Sequence, residues 1–264
     1  MLTAVDWLGV SVVVRWLLGW WLSRHLVPLP EARLQDKPAV SVLIPARNEE
    51  ATLNHLLEGL CTQTLQPLEV IVIDDHSSDH TAGIAQAAAS VLPLQLVQPP
   101  PLPPDWCGKT WALHNGVMHS VGEVLVFLDA DTEPASGLLE SLVAQQQRLG
   151  GLVSVQPFHR TERLYEQLSL LFNLVGLMAV PLGPRCGVAF GPAMATSREH
   201  YLRSGGHRLV DGQRGQPHAH LQQHLLQLCQ QQRRGSRGQR SPVRRREENH
   251  ADRAWLGWRV ERSQ

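Results

Sequence analysis

The sequence predicts an α/β protein: a mostly parallel sheet flanked by helices, preceded by an N-terminal membrane helix. Three observations carry this expectation. Between residues 40 and 149, short apolar runs of strand length alternate with segments of helical periodicity, the pattern of βαβ units. Three of those runs end in polar or acidic residues, at the sheet edge where ligands bind in such folds. Residues 7–22 read WLGVSVVVRWLLGWWL, interrupted only by Arg15.

That first segment, extended to residues 2–27, matches the roughly 20 residues a bilayer span takes. Trp7, Trp16, Trp20 and Trp21 suit the membrane interface. It reads as a single anchoring helix, spanning or steeply embedded. A cleaved signal peptide would need a basic start and a small-residue cleavage site, and neither is present. A buried soluble helix is the other reading. Arg24, Arg33 and Lys37 follow the segment while only Asp6 precedes it, so the positive-inside rule puts the body in the cytoplasm. The expected location is therefore a cell membrane, taken as a bacterial inner membrane.

After a linker over 28–38, residues 40–45 form a buried parallel strand ending at Pro45. A helix is expected from Asn48, with Glu49 and Glu50 in its first turn and Leu53, Leu56, Leu57 and Leu60 on one face. A second strand over 68–73 ends in Asp74-Asp75. Residues 81–90 are Ala-rich and helical, and residues 94–97 form a third strand. The Pro-rich run 98–105 is a loop. Helix is expected over 111–120, a fourth strand over 124–128 ending in Asp129-Ala130-Asp131, and a further helix over 138–149. Residues 167–184 are free of charge, which fits a core helix or one at a membrane.

At 264 residues and 29.4 kDa the chain holds one sizeable α/β domain plus an appendage. Charged residues are only 18%, low for a soluble protein and compatible with membrane contact. Formal net charge is +0, which argues against a nucleic-acid binder. Cys61, Cys107, Cys186 and Cys229 form no CxxC pair, excluding a zinc ribbon or disulfide scaffold. The divisions expected are an anchor and linker over 1–36, a catalytic body over 37–210 and a tail over 211–264.

Four clusters carry chemistry. In an extended chain, residues two apart point to one side, so Asp129 and Asp131 converge and a divalent cation relieves their repulsion. Such a metal can bridge nucleotide phosphates and stabilise a leaving diphosphate. Asp75, just past a strand, can accept hydrogen bonds from a base or ribose, while Asp79 can cap the following helix. Pro45, Arg47 and Glu49 stand at another strand end, where helix initiation alone is the plainer reading. In Trp106-Cys107-Gly108-Lys109, Gly108 permits close backbone approach and Lys109 is a point charge suited to a diphosphate. This is not a P-loop, because position 103 is Pro rather than Gly.

Taken together, VSVLIPARNEE (40–50), VIVIDDHSSDHT (70–81), WCGKTWALHNG (106–116) and VLVFLDADTEP (124–134) resemble the family 2 glycosyltransferases of the GT-A fold. The Trp-x-Gly-Lys segment and GPAMATSREHYLRSGGH (191–207) are similar to the membrane-associated subgroup tied to hopanoid or carotenoid biosynthesis. The resemblance implies a Rossmann-like nucleotide-diphospho-sugar transferase. Asp75 would contact the nucleoside of a nucleotide-sugar donor. Pro45, Arg47 and Glu49 would line the same pocket, Lys109 would sit near the donor, and Asp129 with Asp131 would hold Mg²⁺ or Mn²⁺. The implied acceptor is lipid-like and the reaction inverting, with a later carboxylate as general base.

The pattern then breaks. After Gly205-Gly206-His207 the family has an acidic pair, and this chain offers only Asp211. Residues 211–264 carry eleven arginines against five acidic residues, with Gln-rich runs, and read as disordered or as the product of a reading-frame change. An Arg-rich tail can also bind anionic lipid or nucleic acid. Three functions stay open on sequence: an active glycosyltransferase, a nucleotide-sugar-binding remnant without its base and acceptor half, or a membrane-tethered RNA-binding protein acting through the Arg-rich tail.

Overall fold

The computed structural model describes residue 17 and residues 29–104, 106–155 and 191–207. Most of the expected membrane segment, the charge-free stretch 167–184, and Asp211 with the whole tail lie outside the described residues. Among the described residues no helix is long and apolar enough to cross a membrane.

The chain order is β1 (Val40–Ala46), α1 (Leu53–Cys61), β2 (Glu69–Asp74), α2 (Thr81–Ala88), β3 (Leu94–Val97), α3 (Gly108–His119), β4 (Val124–Leu128), α4 (Leu138–Leu149), β5 (Leu152–Val155), β6 (Ala193–Ser197) and α5 (Arg198–Arg203). The strands form one sheet in the order β3-β2-β1-β4-β6-β5. β1 pairs in parallel with both β2 and β4, and β2 with β3. β6 runs antiparallel to β4 and to β5. The chain order reverses between β1 and β4, which places the carboxyl ends of β1, β2 and β4 side by side at a switch point.

Both faces of the parallel part are covered, and the alternation of side chains explains the near-continuous apolar strands. Val42, Ile44, Val70, Val72, Val124 and Val126 face a core shared with α1 and α4. Leu43, Ile71, Ile73, Leu125 and Phe127 face the opposite core, shared with α3 and with Tyr201 of α5. Burial pushes the Tyr201 phenol well above its ordinary range. Its hydroxyl accepts the His207 backbone N–H at 3.2 Å. α3 approaches the sheet closely at Gly116, where a Cβ would stand 2.7 Å from Ile73 Cδ1 and 2.9 Å from Leu43 Cδ2.

Two helix starts and two strands differ from the sequence reading. α1 starts at Leu53 rather than Asn48, because Asn48 takes φ 56° and residues 49–52 turn before the helix begins. α3 starts at Gly108, earlier than residue 111. Strands β5 and β6 were not anticipated. β6 reads AMATS, with little β-branched character, and becomes a strand by pairing on both sides.

The linker is tied down before the sheet begins. Leu34 N–H donates to Glu140 Oε1 at 2.9 Å and Thr64 Oγ1 to Glu140 Oε2 at 2.7 Å. Glu140 lies in the first turn of α4, where a carboxylate complements the helix dipole. The Thr64 hydroxyl, followed by the Leu34 N–H, holds its carboxyl below the usual range.

Two outcomes follow from this packing. Gly116→Val should lower unfolding free energy by about 1–3 kcal/mol through overpacking, read from denaturant midpoints. Glu140→Gln should be less stable than the parent at pH 7. Because the folded carboxyl titrates below its ordinary value of 4.5, that deficit should shrink as pH falls beneath about 4, in a Tm-against-pH series.

Candidate active site at the strand ends

The site is built from the loops after β1 and β2, the turn after β4 and the N-terminus of α3. The first two are stitched into one unit. Asn48 N–H donates to Ser77 Oγ at 3.0 Å, and Asn48 Oδ1 accepts the Ser78 N–H at 2.8 Å. Glu49 N–H donates to Thr81 Oγ1 at 2.8 Å and Glu50 N–H to Asp79 Oδ2 at 3.1 Å. His80 N–H returns a bond to Glu50 Oε2 at 3.1 Å. Asn48 and His76 both hold φ at 56°, a left-handed conformation that Asn and His adopt more readily than most residues.

Within this unit the acidic residues divide by role. Asp74 is buried, accepting Ser77 N–H at 3.0 Å and Gln98 Nε2 at 3.2 Å. Asp79 accepts the Thr81 N–H at 3.0 Å, and the Thr81 hydroxyl first among its partners holds its carboxyl below the usual range. Both are structural, as expected for Asp79. Glu49, expected at the pocket, accepts the Thr52 hydroxyl on Oε2 at 2.7 Å, which braces the turn into α1. The carboxylate of Asp75 pairs with a side-chain cation. It meets Arg47 Nη1 at 3.4 Å, with side-chain exposures of 14% for Asp75 and 66% for Arg47. A long contact to so exposed a cation leaves the carboxylate available to an incoming donor group.

The second carboxylate lies at the end of β4. Asp129 N–H donates to Pro192 O at 2.9 Å, which ties the residue just past β4 to the one just before β6. Its carbonyl accepts Thr132 N–H at 3.1 Å and Thr132 Oγ1 at 2.7 Å. Residues 129–132 therefore form a turn rather than the extended segment from which convergence of Asp129 and Asp131 was argued. The turn still keeps both residues on one short loop, with Asp131 exposed.

The N-terminus of α3 joins the halves. At Gly108 a Cβ would lie 2.9 Å from Asp75 Oδ2. The next residue, Lys109, puts its Nζ 2.6 Å from Asp129 Oδ1, with side-chain exposures of 35% and 24%. Arg47, Asp75, Gly108, Lys109 and Asp129 thus form one continuous line across three strand ends. α3 has Cys107 as N-cap with no side-chain hydrogen bond, so the positive end of the helix faces the two carboxylates.

The donor set fits a hard divalent cation. Asp129 and Asp131 supply oxygen ligands, and Mg²⁺ or Mn²⁺ sites of this kind take one or two carboxylates, with phosphates and water completing the shell. Among the described residues no group of three or more His, Cys, Asp or Glu could hold a metal.

Sequence reasoning missed an aromatic cluster beside Lys109. Trp106 meets Trp111 edge-on at 5.0 Å and His114 at 4.9 Å, and Trp111 Nε1 donates to Pro100 O at 2.8 Å. The spacing of Trp111 and His114 on one helix face was its legible signal.

Residues 41–180 match the family described as Glycosyl transferase family 2. The chain belongs to that family. It is similar to the 4,4'-diaponeurosporenoate glycosyltransferases of Staphylococcus aureus strains USA300 and MRSA252. Identity to each is 37% over 194 residues, covering 70% of this chain and 50% of the relative. This family 2 chain therefore spans about half the length of the curated relatives it matches. In fold it is similar to the mannosyltransferase PcManGT of Pyrobaculum calidifontis, solved with GDP-Man and Mn²⁺: TM-score 0.52, 24% identity, covering 77% of this chain and 57% of that one. It is likewise similar to S. aureus TarS 1-349 with UDP-GlcNAc: TM-score 0.52, 15% identity, covering 72% and 54%. These likenesses establish the GT-A type of sheet expected from the motifs.

Asn48→Ala should speed amide hydrogen exchange at Ser78 and cost about 1–2 kcal/mol, since it removes an acceptor and strains a left-handed residue. Asn48→Gly should recover the strain component but not the exchange protection.

Proposed function

We propose that the chain transfers a sugar from a nucleotide-diphosphate donor to a lipid-like acceptor at the cytoplasmic face of a membrane. The observation that carries this is the line from Arg47–Asp75 through Gly108–Lys109 to Asp129. In this reading the carboxylates of Asp75 and Asp129, on either side of one helix N-terminus, serve the nucleoside and the diphosphate of the donor. The acceptor class rests on the curated relatives, whose name gives 4,4'-diaponeurosporenoate as their acceptor; a hopanoid or another carotenoid is equally compatible with the motifs. Residues 7–22 would supply the anchor.

In this reading, the Asp75 carboxylate accepts hydrogen bonds from base or ribose, and Arg47 fixes its orientation. Pro45 and Arg47 line the nucleotide side, with Glu49 holding the loop that carries them. Lys109 and the α3 N-terminus offer positive charge to the diphosphate. Asp129 and Asp131 would hold Mg²⁺ or Mn²⁺, which supplies Lewis-acid stabilisation of the departing nucleoside diphosphate. Asp211 is the proposed general base that takes the acceptor hydroxyl proton as the sugar is attacked with inversion.

The test is a donor-hydrolysis and transfer screen over several nucleotide sugars, with Mn²⁺ and acceptor-containing membranes. Asp129→Asn should lower Mn²⁺-dependent binding of UDP or GDP by at least roughly 100-fold, in line with losing a charged ligand partner. Unchanged binding would contradict the assignment. Binding retained without turnover in the parent chain would instead favour the donor-binding remnant.

A further inference from the structure

Lys109 lies where a cation would have to reach Asp129. Its Nζ stands 2.6 Å from Asp129 Oδ1, while Asp131 remains exposed on the same turn. Apart from Lys37 in the linker, it is the only lysine in the chain. The backbone at Gly108 runs close to Asp75, where a Cβ would stand 2.9 Å from Oδ2. Exchange at Asp129 falls to the flexible Lys109 side chain, which is 35% exposed.

We infer that Lys109 is a positioning residue that neutralises Asp129 until a nucleoside diphosphate arrives, so that cation and diphosphate bind as a pair and the cation alone binds poorly. The inference rests on the donor reading above, since it needs Asp129 to face a diphosphate. The electrostatics are direct. A divalent cation approaching the bare site must displace a unit positive charge already paired with one of the two carboxylates. A diphosphate supplies new acceptors for the displaced ammonium, and the same side chain then moves from the carboxylate to the phosphate. Lysine suits the exchange better than arginine, whose planar fork would stay committed to a bidentate carboxylate pair.

The experiment is a Mn²⁺ titration of the full chain in detergent, read from the electron paramagnetic resonance of free hydrated Mn²⁺. It is run without nucleotide, with UMP, and with UDP or GDP, correcting for Mn²⁺ held by each nucleotide in solution. In the parent protein, UDP or GDP should tighten Mn²⁺ binding strongly and UMP should not. Lys109→Met should bind Mn²⁺ alone roughly tenfold more tightly than the parent while binding UDP or GDP more weakly. Lys109→Arg should keep the exclusion of Mn²⁺ alone, and Lys109→Met with Asp129→Asn should erase the gain. If Lys109→Met and the parent bind Mn²⁺ alone with equal affinity while both bind the diphosphate, the inference is overturned and the donor reading stands. If neither UDP nor GDP binds any of these proteins, the donor reading itself fails. Should Lys109→Met not fold, the parent's UMP-against-UDP comparison still decides: equal tightening by both nucleotides overturns the inference.

Discussion

The seating of the α3 N-terminus between the ends of β2 and β4 is the constraint on which the site depends. Gly108 brings the backbone against Asp75, and Lys109 reaches Asp129. Neither contact would exist if α3 stood farther from the sheet. Its approach is set at Gly116, two turns along, where the helix lies against Ile73 and Leu43 with no space for a Cβ. Packing in the core therefore determines the distance between two charged groups at the surface.

The same logic separates structural from chemical carboxylates. Asp74, Asp79 and Glu140 each satisfy backbone amides of the framework. At the opposite end of the sheet, Glu69 accepts Ser41 Oγ and Val121 N–H, both at 2.6 Å, while Arg198 Nε donates to Gly122 O at 2.6 Å. Burial pulls the Arg198 guanidinium below its ordinary range, a cost met by these fixed contacts. Asp75 and Asp129, at the switch-point edge, are instead paired with the side-chain cations Arg47 and Lys109. One end of the sheet is locked by charge and the other is left with charge to use.

Most of this architecture was legible in the sequence because it depends on local patterns. Strands β3 and β4 and helix α4 fall at the residues their apolar periodicity indicates, and the buried face of α1 is the predicted Leu53, Leu56, Leu57 and Leu60. The rest depends on distant pairing. β6 is a strand because β4 and β5 flank it, which AMATS does not announce. Asn48 was expected to begin a helix with Glu49 and Glu50 in its first turn, yet its side-chain oxygen accepts the Ser78 N–H of the neighbouring loop. The place of Glu49 in its motif did not announce that its carboxylate accepts the Thr52 hydroxyl. The pairing of Lys109 with Asp129, twenty residues apart, had no local signature at all.

The proposal that Asp75, Lys109 and Asp129 serve one nucleoside-diphosphate site, Asp75 at the nucleoside and the other two at the diphosphate, is open to direct measurement. It is tested most directly by paramagnetic broadening of amide signals when Mn²⁺ is added with UDP or GDP. The account predicts loss of signal centred on residues 129–132 and 108–110 and extending to Asp75, with Gly122 and Arg198 at the far sheet end spared. Broadening centred elsewhere, or spread evenly over both ends of the sheet, would contradict it.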